Sequence, residues 1–236
     1  MDDENIIIKD FYKFLVVKIK KNSLKILQDD IKDNSYYSKT FKLLKERIVK
    51  TSGSDIFNIY FYEKGKLSFK KEQSIDSNGI YDLCNVSTNE IAIYIYKEGK
   101  LYGNNAFLIF YDIEKYSKIK TLKLGDLEAG GSIKLVNQKT LLVDRYNKIA
   151  IVDVKNRIVK REIKINYDLK EMISINEDIF LTQSYYKIIQ YEIDNYNVKE
   201  KERKSIESRS FIISKYPENK LIIINNKKAT IFSNDL

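Results

Sequence analysis

Lysine side chains recur at the short polar turns of the 236-residue chain, and tyrosine side chains lie among them. Ammonium groups attract carboxylates and phosphates, and neighbouring aromatic rings add apolar contact area, so this combination suits an acidic surface or a phosphate backbone. Lysines at exposed turns also keep hairpins soluble and prevent unwanted pairing of strand edges, which is the simpler interpretation. The residues of this predicted interaction rim are Lys64, Lys97, Lys100, Tyr146, Lys148, Tyr185, Tyr186, Lys187, Lys227 and Lys228.

Three acidic residues recur at a nearly constant spacing but do not predict catalysis. Asp112, Asp153 and Glu192 each end a predicted strand and follow one another at steps of 41 and 39 residues. Equivalent positions on successive repeats are spread over the molecule, whereas general acid/base catalysis needs groups within reach of one substrate. We therefore expect these side chains to cap turns.

Other signatures of chemistry are weak. The chain has no histidine, which removes Ser-His-Asp and Cys-His catalysis and the commonest metal ligand. Cys84 alternates with apolar neighbours and is predicted to lie in the core. The stretch Gly125–Ser132 lacks the Lys-Ser/Thr ending of a phosphate-binding loop and is predicted to be a flexible connection between strands. The sequence thus predicts no catalytic residue, no cofactor and no metal site, and we expect the protein not to be an enzyme.

Charge and cysteine usage indicate a compartment and a range of partners. The formal net charge of +9 permits an acidic partner without requiring one, since a lysine-rich composition also follows from AT-rich coding DNA. The single cysteine excludes a disulfide within the chain, and the acidic start "MDDENIIIKD" does not resemble a signal peptide. No apolar run approaches the ~18 residues of a membrane-spanning helix. We expect an intracellular, cytoplasmic protein, with the nucleus as the alternative.

The turns that carry these residues separate runs with the period-two alternation of β-strands. The clearest hairpin joins Leu141–Arg145 to Lys148–Asp153 through Tyr146 and Asn147, because asparagine suits the left-handed backbone of such a turn. The first strands of six such hairpins begin near positions 14, 57, 91, 140, 179 and 221, at a mean step of about 41 residues. This regular spacing predicts a repeat architecture.

Between successive hairpins the sequence supplies two further strands. Highly charged runs such as "KREIKI" and "KEKERKSI" fit less enclosed strands, whereas "IAIVDV" fits a buried one. Residues 29 to 50 allow two interpretations, since they supply two connecting strands or, in "TFKLLKERIVK", an amphipathic helix. Four strands in about forty residues is the content of a β-propeller blade, in which stacking covers both faces of each sheet.

From Ile91 onward the repeats resemble divergent WD-repeat β-propellers, because the endings "FYD", "IVD" and "QYE" occupy the place of the Trp-Asp pair. Tryptophan and the Gly-His pair are absent, so the hydrogen-bonded tetrad of that family cannot form. The resemblance implies an all-β fold, a β-propeller of about six four-stranded blades, with the first blade lacking a strand before Ile6. It also implies that the lysine-bearing turns join the third and fourth strands of each blade and lie on one rim of the disc. We predict a single domain over residues 1–236, with repeats at 1–36, 37–75, 76–114, 115–155, 156–194 and 195–236. A ring closed by its first and last repeats, an unusually short propeller and a fragment of a longer chain remain alternatives.

The predicted function is a non-catalytic scaffold for protein–protein interaction, a subunit or adaptor of a larger intracellular complex. A rigid framework with variable loops is suited to docking one or more proteins. The alternative is a propeller that binds nucleic acid or an anionic membrane through the lysine-bearing rim, although the Phe-Arg-Arg-Gly signature of phosphoinositide-binding propellers has no counterpart. An enzyme that uses Asp/Glu pairs would need carboxylates that converge at the axial channel.

Overall fold

A computed structural model of the protein describes fifteen segments of the chain in which every regular element is a β-strand. The described residues are 5–9, 13–20, 23–32, 41–44, 47–52, 54–64, 66–98, 104–127, 131–145, 148–165, 169–184, 187–205, 211–216, 220–225 and 228–232. They form no helix, and so none that is long and apolar enough to span a membrane. The chain divides into two compact units, residues 1–125 and 126–236.

The described residues of the first unit form three antiparallel sheets. A three-stranded sheet consists of β1 (Asn5–Lys9), β2 (Lys13–Lys20) and β3 (Ser23–Lys32) in that order. The second sheet has the order β4 (Phe41–Leu44), β5 (Arg47–Thr51), β6 (Ile56–Glu63) and β7 (Lys66–Ser74). The third has the order β8 (Gly79–Asn85), β9 (Glu90–Glu98), β10 (Asn104–Asp112) and β11 (Ser117–Leu127), the last of which ends two residues into the second unit.

The second unit repeats the arrangement with two four-stranded sheets and one of three strands. Its sheets are β12 (Ile133–Asn137), β13 (Thr140–Asp144), β14 (Lys148–Asp153) and β15 (Ile158–Lys164), then β16 (Glu171–Ser174), β17 (Ile179–Gln183), β18 (Lys187–Asp194) and β19 (Asn197–Ser205), then β20 (Phe211–Tyr216), β21 (Lys220–Asn225) and β22 (Lys228–Phe232). In every sheet, strands adjacent in sequence are adjacent in space. Each sheet is therefore a meander of the kind that the repeats predict.

Burial explains the two sequence patterns seen in the strands. The second strands β9 and β13 have five consecutive buried residues, so both of their faces are covered. The five are all apolar or aromatic in β9, whereas in β13 the apolar run Leu141–Val143 is flanked by buried Thr140 and Asp144. The fourth strands β7 and β15 are mostly exposed and carry several lysines, which discourage pairing at a sheet edge. The predicted assignment of "IAIVDV" to a buried strand and "KREIKI" to a less enclosed one is confirmed.

The core of each unit lies where two neighbouring sheets face each other. In the first unit Val49, Phe57 and Ile59 from sheet β4–β7 pack with Leu83, Ile93 and other apolar residues of sheet β8–β11. In the second unit Leu142 and Ile151 pack in the same way with Phe180 and Ile189. Adjacent sheets thus bury one another's apolar faces, as expected for a protein built from stacked repeats.

Two features of the prediction are settled by the strand pairing. Residues 41–44 and 47–51 form strands β4 and β5, so the helical interpretation of this region is wrong. The predicted hairpins beginning at 91, 140 and 179 are the second and third strands of their sheets, whereas the one beginning at 57 is the third and fourth. The prediction that each hairpin joins the third and fourth strands of its repeat is therefore correct at 57 and wrong by one strand at 91, 140 and 179.

The sheets and the predicted repeats also have different boundaries. Predicted repeats 115–155 and 156–194 begin with β11 and β15, each of which is the last strand of the preceding sheet. The three-stranded sheet β1–β3 begins at Asn5, in the region where the sequence predicts an incomplete first blade. The extension of a single domain over residues 1–236 stays a prediction.

Candidate interaction pocket

The predicted rim residues do not share one edge of the sheets. Lys64 lies in the turn between the third and fourth strands of its sheet, whereas Lys97, Lys148 and Lys187 lie at turns between second and third strands. In an antiparallel meander these two kinds of turn are at opposite ends of the strands. The predicted placement between third and fourth strands is thus correct for Lys64 and wrong for Lys97, Lys148 and Lys187. Within the first unit, Lys64 and Lys97 lie at opposite ends of the strands. Lys100, Tyr146, Tyr185, Tyr186, Lys227 and the side chain of Lys228 lie outside the described residues.

A partly apolar pocket lies beside Lys97 in the first unit. It has a volume of about 370 Å³ and is built from the end of β7, the connection from β7 to β8, and strands β9, β10 and β11. Apolar side chains form its floor, namely Ile75, Ile95, Phe107, Ile109 and Tyr111. Polar side chains surround it, namely Ser74, Asp76, Lys97, Lys118 and Thr121. We call this concavity the Lys97 pocket.

The connection from β7 to β8 forms one wall of the pocket because it is tied to the end of β9. The amide of Asn78 donates to the carbonyl oxygen of Tyr96 at 2.9 Å, and the amide of Glu98 donates to the Asn78 side-chain oxygen at 2.8 Å. Gly79 lies opposite Tyr96 in the strand register, and a Cβ atom at this position would come within 2.2 Å of the Tyr96 ring. Glycine is therefore needed for this close approach.

An ion pair spans the pocket edge. The Lys97 Nζ atom lies 2.5 Å from the Asp76 Oδ2 atom, with 34% of the lysine side chain and 97% of the aspartate side chain exposed. The hydrogen bond from Lys97, with its charge and that of Lys118, lowers the pKa of Asp76 below its ordinary value. Both ammonium groups therefore act at the position that this carboxylate occupies.

The pocket floor is held in place by the packing of Tyr111. Its ring meets that of Phe57 edge to face, with 5.2 Å between the centroids, and its hydroxyl donates to the Oε1 atom of Gln73 on β7. Burial, together with the charge of Asp112, raises the pKa of Tyr111 to about 12, so the hydroxyl remains a donor throughout the physiological range. These contacts join sheet β4–β7 to sheet β8–β11 directly beneath the pocket.

A second concavity lies in the other unit and has a different lining. This cleft, of about 420 Å³, lies where the β12–β13, β16–β17 and β18–β19 turns meet. Its lining includes the charged residues Lys139, Glu177, Asp178 and Asp194. The Asn137 side-chain amide donates to the carbonyl oxygen of Glu177 across it, so two neighbouring sheets form its walls. We call it the Asp178 cleft.

The three acidic residues at repeat spacing do not behave alike. Asp112 accepts hydrogen bonds from the amides of Glu114 and Lys115, each at 2.9 Å, and Asp153 accepts one from the amide of Asn156 at 3.0 Å. The prediction that they cap turns is confirmed for these two. Glu192 instead forms an ion pair with Lys201 at 2.5 Å between neighbouring strands.

The other residues singled out in the sequence are Cys84, which lies in the core, and the stretch Gly125–Ser132, which begins at the end of a strand. Cys84 is buried with 5% exposure, as predicted. Within the predicted flexible connection Gly125–Ser132, residues 125–127 belong to β11, and Gly125 has a φ of 97°, a conformation that favours glycine. Among the residues described, no group of three or more Cys, Asp and Glu is arranged to hold a metal ion.

The Lys97 pocket could not be recognised in the sequence, although one of its residues was. Asp76 and Lys97 are separated by 21 positions and meet only because the connection at 75–78 folds back on β9. The polar stretch "DSNG" marks a turn there, but it does not indicate which strand the turn contacts.

Comparison with known proteins defines the fold. No model of a protein family matches the sequence, and no curated protein matches it. A functionally unknown protein from Desulfotomaculum acetoxidans DSM 771 has a similar structure, with a TM-score of 0.74 and 11% identity over 97% of this chain and 74% of that chain. The C-terminal WD40 domain of Sif2 is similar with a TM-score of 0.66 and 10% identity over 94% of this chain and 64% of that domain.

A third similar structure is KlHsv2 with loop 6CD replaced by a Gly-Ser linker. Its TM-score is 0.63 and its identity is 16%, over 94% of this chain and 71% of that chain. At these identities the likeness shows the fold alone, and that fold is β-propeller-like, as the repeats predict. The number of blades, the closure of a ring and the presence of WD repeats stay predictions.

Proposed function

We propose that this protein is a non-catalytic protein-interaction module, a subunit or adaptor that docks other proteins within a larger assembly. The observation that carries the proposal is the Lys97 pocket, an apolar floor surrounded by a few charged groups. Concave apolar sites with a small number of placed polar groups are typical binding sites. At protein interfaces such pockets receive the large side chains that contribute most of the affinity.

The contacts of the acidic residues support a non-catalytic role. Asp112 and Asp153 accept hydrogen bonds from turn amides, and Glu192 pairs with a lysine on the neighbouring strand. A carboxylate held in this way is oriented towards its own turn or strand, whereas a general acid or base must reach a substrate. These three residues are thus better explained as structural groups.

The arrangement of the lysines favours protein binding over nucleic-acid or membrane binding. Of the two rim lysines described in the first unit, Lys97 is paired with Asp76, and Lys64 lies at the opposite end of the strands from it. Binding to a phosphate backbone depends on several cations that contact it together. A lysine surface divided in this way is less suited to a continuous polyanion than to a local contact.

A peptide library displayed on phage and selected on the immobilised wild-type chain tests the proposal. Selected clones are then assayed on Thr121→Trp, which fills the pocket edge, and on the matched control Ser117→Trp. Ser117 is exposed on the same strand but does not line the pocket. We expect clones that bind the wild-type chain and Ser117→Trp but not Thr121→Trp. A selection that yields no pocket-dependent clone would contradict the proposal.

The alternative function is measured on the same protein. Binding to a random-sequence DNA duplex and to phosphatidylserine vesicles is followed at ~50 and ~200 mM salt, a range over which phosphate binding weakens steeply. Tight binding to either that falls steeply with salt, without pocket-dependent peptides, would favour the nucleic-acid or membrane function. We expect weak binding to both.

A further inference from the structure

The carboxylate of Asp76 occupies the edge of the Lys97 pocket but is held there only weakly. The Asp76 carboxylate lies on the connection between β7 and β8, almost wholly exposed, while the Lys97 side chain that it pairs with is about one-third exposed. Exposed ion pairs contribute little to stability because water and salt screen them. Another carboxylate with the same geometry is therefore able to replace Asp76 at little cost.

From this arrangement we propose that the Lys97 pocket binds a short acidic peptide segment of a partner protein, in which a carboxylate replaces Asp76 beside Lys97 and Lys118 and a neighbouring apolar side chain contacts the floor. Asp76 then acts as an internal competitor that weakens binding of the segment. This inference rests on the proposed function and specifies the chemistry of the partner.

The dimensions and lining of the pocket fit such a segment. Its volume of about 370 Å³ lies near the lower end of the range of about 300 to 1,000 Å³ that is typical of ligand sites. One or two side chains fill a space of this size. Phe107 is only partly buried, so its ring is available for contact with an incoming apolar group.

The cations that surround the pocket favour a carboxylate over a phosphate. Both are lysines, and no arginine is among the lining residues described. Recognition of phosphorylated peptides relies on arginine clusters, whose planar guanidinium groups form paired hydrogen bonds with phosphate oxygens. In the free protein the position beside Lys97 already accommodates one carboxylate, that of Asp76, and Lys118 adds a second positive charge to the lining.

A fluorescent pentapeptide of sequence Ser-Glu-Phe-Glu-Ser tests the inference by fluorescence anisotropy. Two comparison peptides replace both glutamates by glutamine or the phenylalanine by glycine. The protein variants are Asp76→Asn, Lys97→Met and the matched control Asp178→Asn. The control also removes one exposed aspartate and so raises the net charge equally, but it lies in the other unit.

We expect Asp76→Asn to bind the glutamate peptide roughly threefold or more tightly than the wild-type chain, and Lys97→Met to bind it at least about tenfold more weakly. Asp178→Asn should match the wild-type chain, and both comparison peptides should bind weakly to all four proteins. Denaturation midpoints near that of the wild-type chain verify that the variants are folded.

Several results would overturn the inference. They are equal affinity of Asp76→Asn and Asp178→Asn, equal binding of the glutamine peptide, and absence of binding to both the wild-type chain and Asp76→Asn. If phage clones sensitive to Thr121→Trp are nevertheless found, the proposed function stands and only the acidic chemistry of the partner is wrong. If no such clone is found, the proposed function fails as well.

Discussion

Two boundaries between neighbouring sheets are built in the same way. One lies between sheets β4–β7 and β8–β11 in the first unit, and the other lies between β12–β15 and β16–β19 in the second. At each, apolar residues of two sheets pack into one cluster. At each, a lysine of the fourth strand lies over a tyrosine in the last turn of the next sheet, with 4.4 Å from Lys71 Nζ to the Tyr116 centroid and 5.4 Å from Lys160 Nζ to that of Tyr196. Repetition of the sequence thus produces a repeated contact as well as a repeated sheet.

The two boundaries differ in where they place charge. In the second unit, the Asp153 side chain is only 4% exposed, lies 3.6 Å from Lys160 Nζ and accepts 2.7 Å and 3.0 Å hydrogen bonds from Asn156. In the first, the hydrogen bond from the Tyr111 hydroxyl to Gln73 joins the sheets beside the Lys97 pocket. The same framework therefore supports a buried ionic group at one boundary and an open apolar pocket at the other.

The largest expected effect concerns the two aspartates at repeat spacing, Asp153 at the second boundary and Asp112 in the turn after β10. Asp153→Ala leaves the Asn156 amide, Lys160 and Tyr196 without the buried carboxylate, so we expect a loss of about 2 to 4 kcal/mol in the free energy of unfolding. Asp112→Ala removes a partly exposed turn cap, and we expect a loss of about 0.5 to 1.5 kcal/mol. Urea denaturation followed by circular dichroism measures both. Equal losses would show that burial of Asp153 adds nothing to its role as a turn cap.

Much of the fold is visible in the sequence because alternation survives wherever one face of a strand is exposed. Strand β15, with its exposed lysine and arginine side chains, is an example. The ambiguity at residues 29 to 50 has a physical cause, since residues 48–51 of β5 are all buried and the alternation that identifies a strand is lost. Pairing with β4 and β6, which the sequence does not display, decides its conformation.

The order of strands within a sheet is harder to predict than their existence. The pairs β6–β7 and β9–β10 look alike as hairpins, yet they hold different places in their sheets. That place depends on which further strand pairs alongside, and no local pattern records it. The error assigned Lys97, Lys148 and Lys187 to turns between third and fourth strands, although they lie at turns between second and third strands. The residues of the Lys97 pocket, which come from five segments, were not recognised as a group.

A smaller effect on the free energy of unfolding is expected when the pH is lowered. Burial opposes ionisation of Asp153, but hydrogen bonds from Asn156 and Tyr196 and the charge of Lys160 outweigh it, so the pKa lies below its ordinary value of 3.8 in the folded protein. The unfolded chain then binds this proton at higher pH than the folded chain, and the stabilisation is lost as the pH falls from about 5 through the folded-state pKa.

Substitution by asparagine isolates this contribution. The urea midpoint of Asp153→Asn should depend less on pH below about 5 than that of the wild-type chain. Asp76→Asn should flatten the dependence less, because water and salt screen its exposed pair with Lys97. A wild-type pH dependence in Asp153→Asn would exclude this carboxylate as an acid-sensitive group.

The smallest expected effect concerns the contact beneath the Lys97 pocket. Tyr111→Phe keeps the ring packed against Phe57 but leaves the Oε1 atom of Gln73 without the hydroxyl donor, so we expect a loss of about 1 kcal/mol in the free energy of unfolding. A double-mutant cycle with Gln73→Ala should give a coupling energy of about 0.5 to 1.5 kcal/mol, since the two groups are direct partners. If the two losses simply add, the hydroxyl does not join the sheets, and packing of the Tyr111 ring alone supports the pocket floor.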